Sequence, residues 1–311
     1  AAGDIVPAYT EEDVKQFTRA LTGWTYASRN GRAPRAHNSP FYGELMVPVE
    51  SLHDTGPKTL LNGTQLEAGR TAQQDLDAVI DNLYWHPNIA PFLSRLLIQQ
   101  MVTSNPSPSY IKRVVAAFED NGAGVRGDMT AIVRAILLDP EAMMPPASSA
   151  GHLKEPALLV TSLFRAIGGE VEDHPFLADE ATEMGQKVLF PPSVFSYFSP
   201  DYRLPGNAAM TGPEFQVLTS ETALRRVNYA AKLIYGSFGS YVKLDISRFV
   251  ERAGDIDAFM LMIDEDLLGG EMPEAMKASI VKAVNAQRGA ENKAGTALYL
   301  AGSSPLFQVV R

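Results

Sequence analysis

Apolar residues return every three or four positions in segment after segment of this chain, and that period constrains its fold more than any other feature. In "YTEEDVKQFTRALTGW", Val14, Phe17 and Leu21 share one face, Thr10 stands as N-cap with Asp13 three residues on, and Gly23 supplies the stop. The pattern returns in "TAQQDLDAVIDNLYWHP" through Leu76, Val79, Ile80 and Leu83, and past Pro87 in "NIAPFLSRLLIQQMV". Ser107 before Pro108 opens "SPSYIKRVVAAFEDNG", and Asp128 caps "MTAIVRAILLDPEA". Beyond these, "KEPALLVTSLFRAIGG" and "HPFLADEATEMGQ" read as helices, and a long helix enters through Pro213 in "GPEFQVLTSETALRRVNYAAKLIYG". Four more run from "DISRFVERAG" to "AGTALYLAGSSPLFQVV", with Asp255 as an N-cap and Met260 and Met262 as core filling. The expectation is an all-α, irregular multi-helix bundle with at most a short β-hairpin.

Two stretches break the period. Residues 25–70 hold glycine, proline, asparagine and histidine around one alternating run, "GELMVPVE", which reads as a short edge strand. Residues 188–212 are rich in aromatics and prolines. Long aperiodic loops inside a helical protein are uncommon and usually functional when ordered, and aromatic content argues for order. The run "MMPPASSAGH" at 143–152 has no period and reads as a joint. The expected division is therefore a helical subdomain over 1–145 carrying the insertion 25–70, and a second over 146–311 carrying the loop 188–212.

Composition then removes whole classes of function. With 27 basic and 36 acidic residues in 311, the chain carries a net charge of −9 and lacks the basic footprint a nucleic-acid partner needs. No apolar run reaches the roughly 18 residues of a membrane span, and "AAGDIVPAYT" lacks a signal-peptide layout. The absence of cysteine removes thiolate chemistry and leaves only His, Asp and Glu for any metal. Zinc-protease, nucleophile-elbow, phosphate-loop and dinucleotide motifs are missing, so no cofactor is indicated.

Six pieces taken in order, "YTEEDVKQFTRALTGW", "HDTGPKTLLNG", "AIVRAILLDPEA", "PPSVFSYFSPDYRLPG", "GPEFQ" and "SPLFQVVR", resemble the bacterial family known as domain of unknown function 1800. The resemblance spans nearly the whole chain. It implies a mainly helical protein that is exported, hence periplasmic or extracellular, with no biochemical activity attached. Family members usually carry a further N-terminal region before the "YTEEDV" position, so the resemblance implies that this chain is the C-terminal part of a longer member. The N-terminal part of the same protein is then an expected partner.

The candidate chemistry lies in the two loops. In "SLHDTGPKTLLNG", Gly56 and Pro57 make a turn that can aim His53 and Asp54 inward together. Read as chemistry, His53 is a general base or metal ligand oriented by Asp54, with Lys58 holding an anionic substrate group and His37 approaching as a further ligand. Read as structure, Asp54 caps the turn, His53 packs against Trp24, and Lys58 is solvated. In "FPPSVFSYFSPDYRLPG", Phe195, Tyr197, Phe198 and Tyr202 offer rigid surface and hydroxyls, Asp201 and Arg203 add directional polar groups, and Glu214 opens the next helix beside them. The first functional reading is a loop-built cleft, with Trp24 on its wall, binding a polysaccharide or an envelope protein. The alternatives are a hydrolase or lyase working through His53 and Asp54, with or without a metal, and a structural subunit completed by an N-terminal segment.

Overall fold

The computed structural model of the protein describes residues 8–29, 31–144, 151–194, 196–236 and 238–310. Helices begin where capping chemistry sets them. Thr10 Oγ1 accepts the Asp13 amide while Asp13 bonds back to Thr10, opening α1 (Glu11–Ala20). The same reciprocal device at Thr71 opens α2 (Ala72–Tyr84), and α3 follows (Ile89–Met101). Ser107 and Asp128 cap α4 (Pro108–Glu119) and α5 (Met129–Leu137), ahead of the single turn α6 (Pro140–Met143). Then come α7 (Pro156–Ala166), α8 (Phe176–Glu183), α9 (Ser220–Tyr235), α10 (Ser247–Arg252), α11 (Ile256–Ile263), α12 (Glu274–Asn285) and α13 (Ala290–Gly302). Asp255 caps α11 through the Ala258 amide, and Met260 and Met262 pack in or against the core.

The helical expectation holds, and the extended segments are minor. Among the described residues they form five separate two-stranded antiparallel pairs. "GELMVPVE" supplies Val47–Pro48, which pairs with Trp24–Thr25. Within the loop 188–212, Arg203–Leu204 pairs with Asn207–Thr211. One helix differs from its expectation. Pro213–Val217 is a 3-10 turn and α9 starts afresh after Thr219, because Thr219 and Thr222 cap each other's backbone amides at 3.2 and 2.8 Å and break the run. The expected joint falls mostly on 145–150, outside the described residues.

The chain forms two compact units, Ala1–Leu93 and Ser94–Arg311. The first has a small apolar cluster of Ala20, Leu60, Leu66 and Val79, with Phe17 and Ala78 against it. The face of α1 predicted from the period is only partly covered, since Val14 and Leu21 remain open and, with Phe17, Leu61 and Leu83, line a groove of about 290 Å³. The second unit has a far larger core, in which Leu159, Leu163 and Phe164 of α7 meet Tyr229 and Leu233 of α9, Phe259 and Ile263 of α11, and Leu298 of α13. Each such side chain contributes about 1.5–3 kcal/mol on burial, so the two units differ in how much they depend on polar contacts. Among the described residues no helix is long and apolar enough to cross a membrane.

Candidate functional site

The histidine loop is drawn tight against the end of α1. Gly23 sits at φ +85, and a Cβ there would stand 3.1 Å from both the His53 amide nitrogen and the Val49 carbonyl oxygen, so the close approach requires glycine. Asp54 stabilises the turn by accepting the Gly56 amide at 2.9 Å. Arg19 of α1 then grips the same carboxylate side-on, Nε to Oδ2 at 2.7 Å and Nη2 to Oδ1 at 3.1 Å, and holds the Asp54 carboxyl down at about 2 with help from the Gly56 amide.

Behind the turn lies a group that the loop sequence does not contain. Asp75 of α2 has no solvent exposure, and its Oδ2 faces Lys58 Nζ at 2.8 Å and His53 Nε2 at 3.2 Å. Its other oxygen takes Arg70 Nε at 2.5 Å. His53 and Asp75 Oδ2 meet at ion-pair distance without the angles of an aligned hydrogen bond. Burial works to raise the Asp75 carboxyl, and the hydrogen bonds from Lys58 and Arg70 outweigh it, so the group ends below the usual carboxylate range. Lys58 also donates to the Asp54 and Gly56 carbonyl oxygens. At 2% exposure it is buried rather than solvated, with its charge spent on Asp75. The His53 ring is fully covered, and its Nδ1 lies 3.1 Å from the Thr22 carbonyl oxygen and 3.3 Å from the Thr22 hydroxyl.

Two further residues of this unit are singled out by the sequence. His37 is exposed, and Trp24 is half-buried with its indole Nε1 sealed from water and without a hydrogen-bond partner. Among the described residues no group of three or more His, Asp or Glu side chains is gathered so that it could hold a metal ion.

In the second unit the proline-aromatic loop is anchored from within. Phe195 lies outside the described residues. Phe198 is buried, and the Tyr197 hydroxyl donates to the Lys187 carbonyl and accepts the Phe190 amide at 3.2 Å. Asp201 pairs with Arg95 at 2.6 Å, Tyr202 is half-buried, and Arg203 is exposed at the start of its strand. Besides Asp201 and Arg203, the loop leaves an apolar run open to water: Val188, Leu189, Phe190 and Val194 are 40, 88, 66 and 94% exposed.

Glu214 turns inward. Its carboxylate accepts the Ser104 hydroxyl at 2.8 Å, and burial raises it above the usual range, with Glu155 adding to the effect. Around it, Thr211 Oγ1 donates to the Ser104 carbonyl oxygen at 2.8 Å and lies 2.9 Å from Asn105 Oδ1, and Gln99 donates to the Ser104 carbonyl at 3.0 Å. On α9, Arg226 is 3% exposed and donates through Nη1 to the Lys154 carbonyl at 3.0 Å. Burial pulls the Arg226 guanidinium down to about 10 and the Lys154 ammonium to about 8. Ser104, Lys154 and Arg226 are not apparent from the loop sequences. Arg226 has a signal of its own: it stands three, four and seven positions before Tyr229, Ala230 and Leu233, on the buried stripe of α9.

Of the pieces that carry the family likeness, "GPEFQ" supplies Glu214 to this second interior, while "SPDYR" lies mostly at the surface. A family model described as "Protein of unknown function (DUF1800)" matches residues 2–309. The chain belongs to that family. No curated protein and no solved structure matches it.

Proposed function

We propose that this is an exported bacterial binding protein without chemistry of its own, and that the loop over 188–212 is the face it offers to an envelope protein. The observation that carries this reading is the open tip of Val188, Leu189, Phe190 and Val194. Four apolar side chains in a seven-residue stretch form the kind of exposed patch that soluble proteins keep for partners. The tip is also held in shape, since Tyr197 ties the loop to itself and Leu189 and Ser196 take left-handed φ values of 64 and 75, a cost borne by non-glycine residues mostly at functional segments. A polysaccharide calls for open aromatic planes edged with free polar groups, whereas here Phe198 is inside, the Tyr197 hydroxyl is occupied, and the exposed Phe190 ring has the Lys187 ammonium 4.6 Å from its centre and apolar neighbours. A protein partner therefore fits better. The lack of cysteine suits an oxidising compartment.

The hydrolytic alternative at His53 and Asp54 has less support. A general base must reach a substrate proton, and the His53 ring is covered while Asp54 is spent on Arg19.

The test places a photo-crosslinking residue at Phe190 in the native cell, with the same residue at the exposed Glu274 as a control. A discrete protein adduct at Phe190 alone, lost when Leu189→Asp and Val194→Asp are added, is the expected result. An adduct only within the chain's own polypeptide, equal crosslinking at Phe190 and Glu274, or glycan binding by the purified protein that Phe190→Asp abolishes would each overturn it.

A further inference from the structure

Arg226 has an empty hydrogen-bonding edge. Its Nη1 is used by the Lys154 carbonyl, but Nε and Nη2 are buried and have no hydrogen-bond partner. Those two N–H groups lie parallel on one edge of the guanidinium, the edge that grips a carboxylate through two side-by-side bonds. The Tyr229 hydroxyl, one turn along the same helix, donates to the Val160 carbonyl at 2.9 Å, and Ser104 donates to Glu214, whereas the neutral Gln99 Oε1 beside Ser104 is also without a partner. Leaving a charged donor unmet inside a protein costs more than leaving a neutral one, so such a fork calls for an explanation.

No acidic side chain supplies it. Among the described residues none lies within ion-pair distance of Arg226, and burial is what lowers its guanidinium. Glu155, next to Lys154, is taken by the Gln186 amide, and Glu214 by Ser104. The Lys154 ammonium faces the Phe307 ring at 3.8 Å, so a second half-buried cation stands on the residue whose carbonyl holds the first.

We propose that Arg226 is the receptor for a carboxylate group of a small ligand, gripped side-on by Nε and Nη2. A planar monoanion fits better than a phosphate dianion. The fork offers two parallel donors for two coplanar oxygens, and a chain of net charge −9 disfavours a second negative charge. Entry needs a local opening of the short pair between His152–Leu153 and Val309–Val310, next to which the Lys154 amide donates to the Gln308 carbonyl at 2.7 Å. The site does not depend on the partner surface at Phe190.

The probe is acetate, titrated against chloride at constant ionic strength and neutral pH, read by the melting temperature of the whole chain and by the Arg226 Nε–H resonance. Acetate should raise the melting temperature saturably and move that resonance, and inorganic phosphate should do so more weakly. Arg226→Lys keeps the charge and loses the fork, and should weaken acetate binding by about tenfold or more. Arg226→Met should abolish the response. A wild-type protein indifferent to acetate, equal acetate binding by Arg226→Lys, or an acetate-soaked crystal with only water on the fork would each overturn the proposal.

Discussion

In the first unit a buried aspartate, Asp75, is met by Lys58, Arg70 and His53; in the second a buried arginine, Arg226, is met by a single backbone carbonyl. The first arrangement is balanced in charge within the chain, although Asp75 Oδ2 and His53 Nε2 lack an aligned hydrogen bond, and it joins a turn, a loop and a helix where the apolar cluster is only four residues. The second sits beside a core of some two dozen buried apolar residues, large enough to carry a group that subtracts from stability. A buried charge that the fold has already neutralised is a fastener. One left without its counter-charge, in a unit with stability to spare, is where a ligand is looked for.

The contrast can be broken first at Asp75. Asp75→Asn removes the carboxylate shared by Lys58 and Arg70 and leaves Lys58 only the Asp54 carboxylate at 4.0 Å, and should cost about 3–5 kcal/mol of unfolding free energy by urea titration. Its pH dependence has a definite sign. The folded Asp75 carboxyl lies below its unfolded value, so its contribution is fully present above about pH 4 and fades as the pH falls through the folded value, and the gap between wild type and Asp75→Asn should close in acid.

Glu214 should behave in the opposite sense. Its carboxyl is raised in the fold, so ionising it costs stability once the pH exceeds its ordinary unfolded value. Glu214→Gln keeps an acceptor for Ser104 and should add about 1 kcal/mol at neutral pH, an advantage that vanishes below about pH 4 in thermal melts. The smallest effect belongs to the half-exposed clamp. Arg19→Ala should cost about 0.5–1 kcal/mol, and that loss should shrink with added salt, unlike the loss at Asp75.

Much of this architecture was legible in the letters, because helix starts are written locally. Thr10, Ser107, Asp128 and Asp255 each bond an amide two or three positions away, within reach of a sequence pattern. The long helix from Pro213 failed for the same local reason: Thr219 and Thr222 are moderate helix residues that also make a cap, and the cap won. The histidine loop was legible as a polar turn, down to the role of Asp54 in holding it. Its meaning was not, since Asp75 comes from a helix 22 positions after His53 and Arg70 from the loop before it. A clue existed in the spacing of Ala72, Asp75 and Val79, which puts a carboxylate on the buried stripe of α2. The same clue marks Arg226 and not its neighbour Arg225, which is exposed enough to pair with Glu183 and Glu221.

The most direct measurement of the account is the unfolding free energy of Arg226→Met in buffer free of carboxylates, set beside Asp75→Asn. If Arg226 is a cation awaiting its anion, methionine of similar reach should leave stability unchanged or raise it by about 1 kcal/mol, while Asp75→Asn loses several times that. A loss at Arg226→Met as large as that at Asp75→Asn would mean that the arginine is already a fastener, and that the second interior holds no vacancy for a guest.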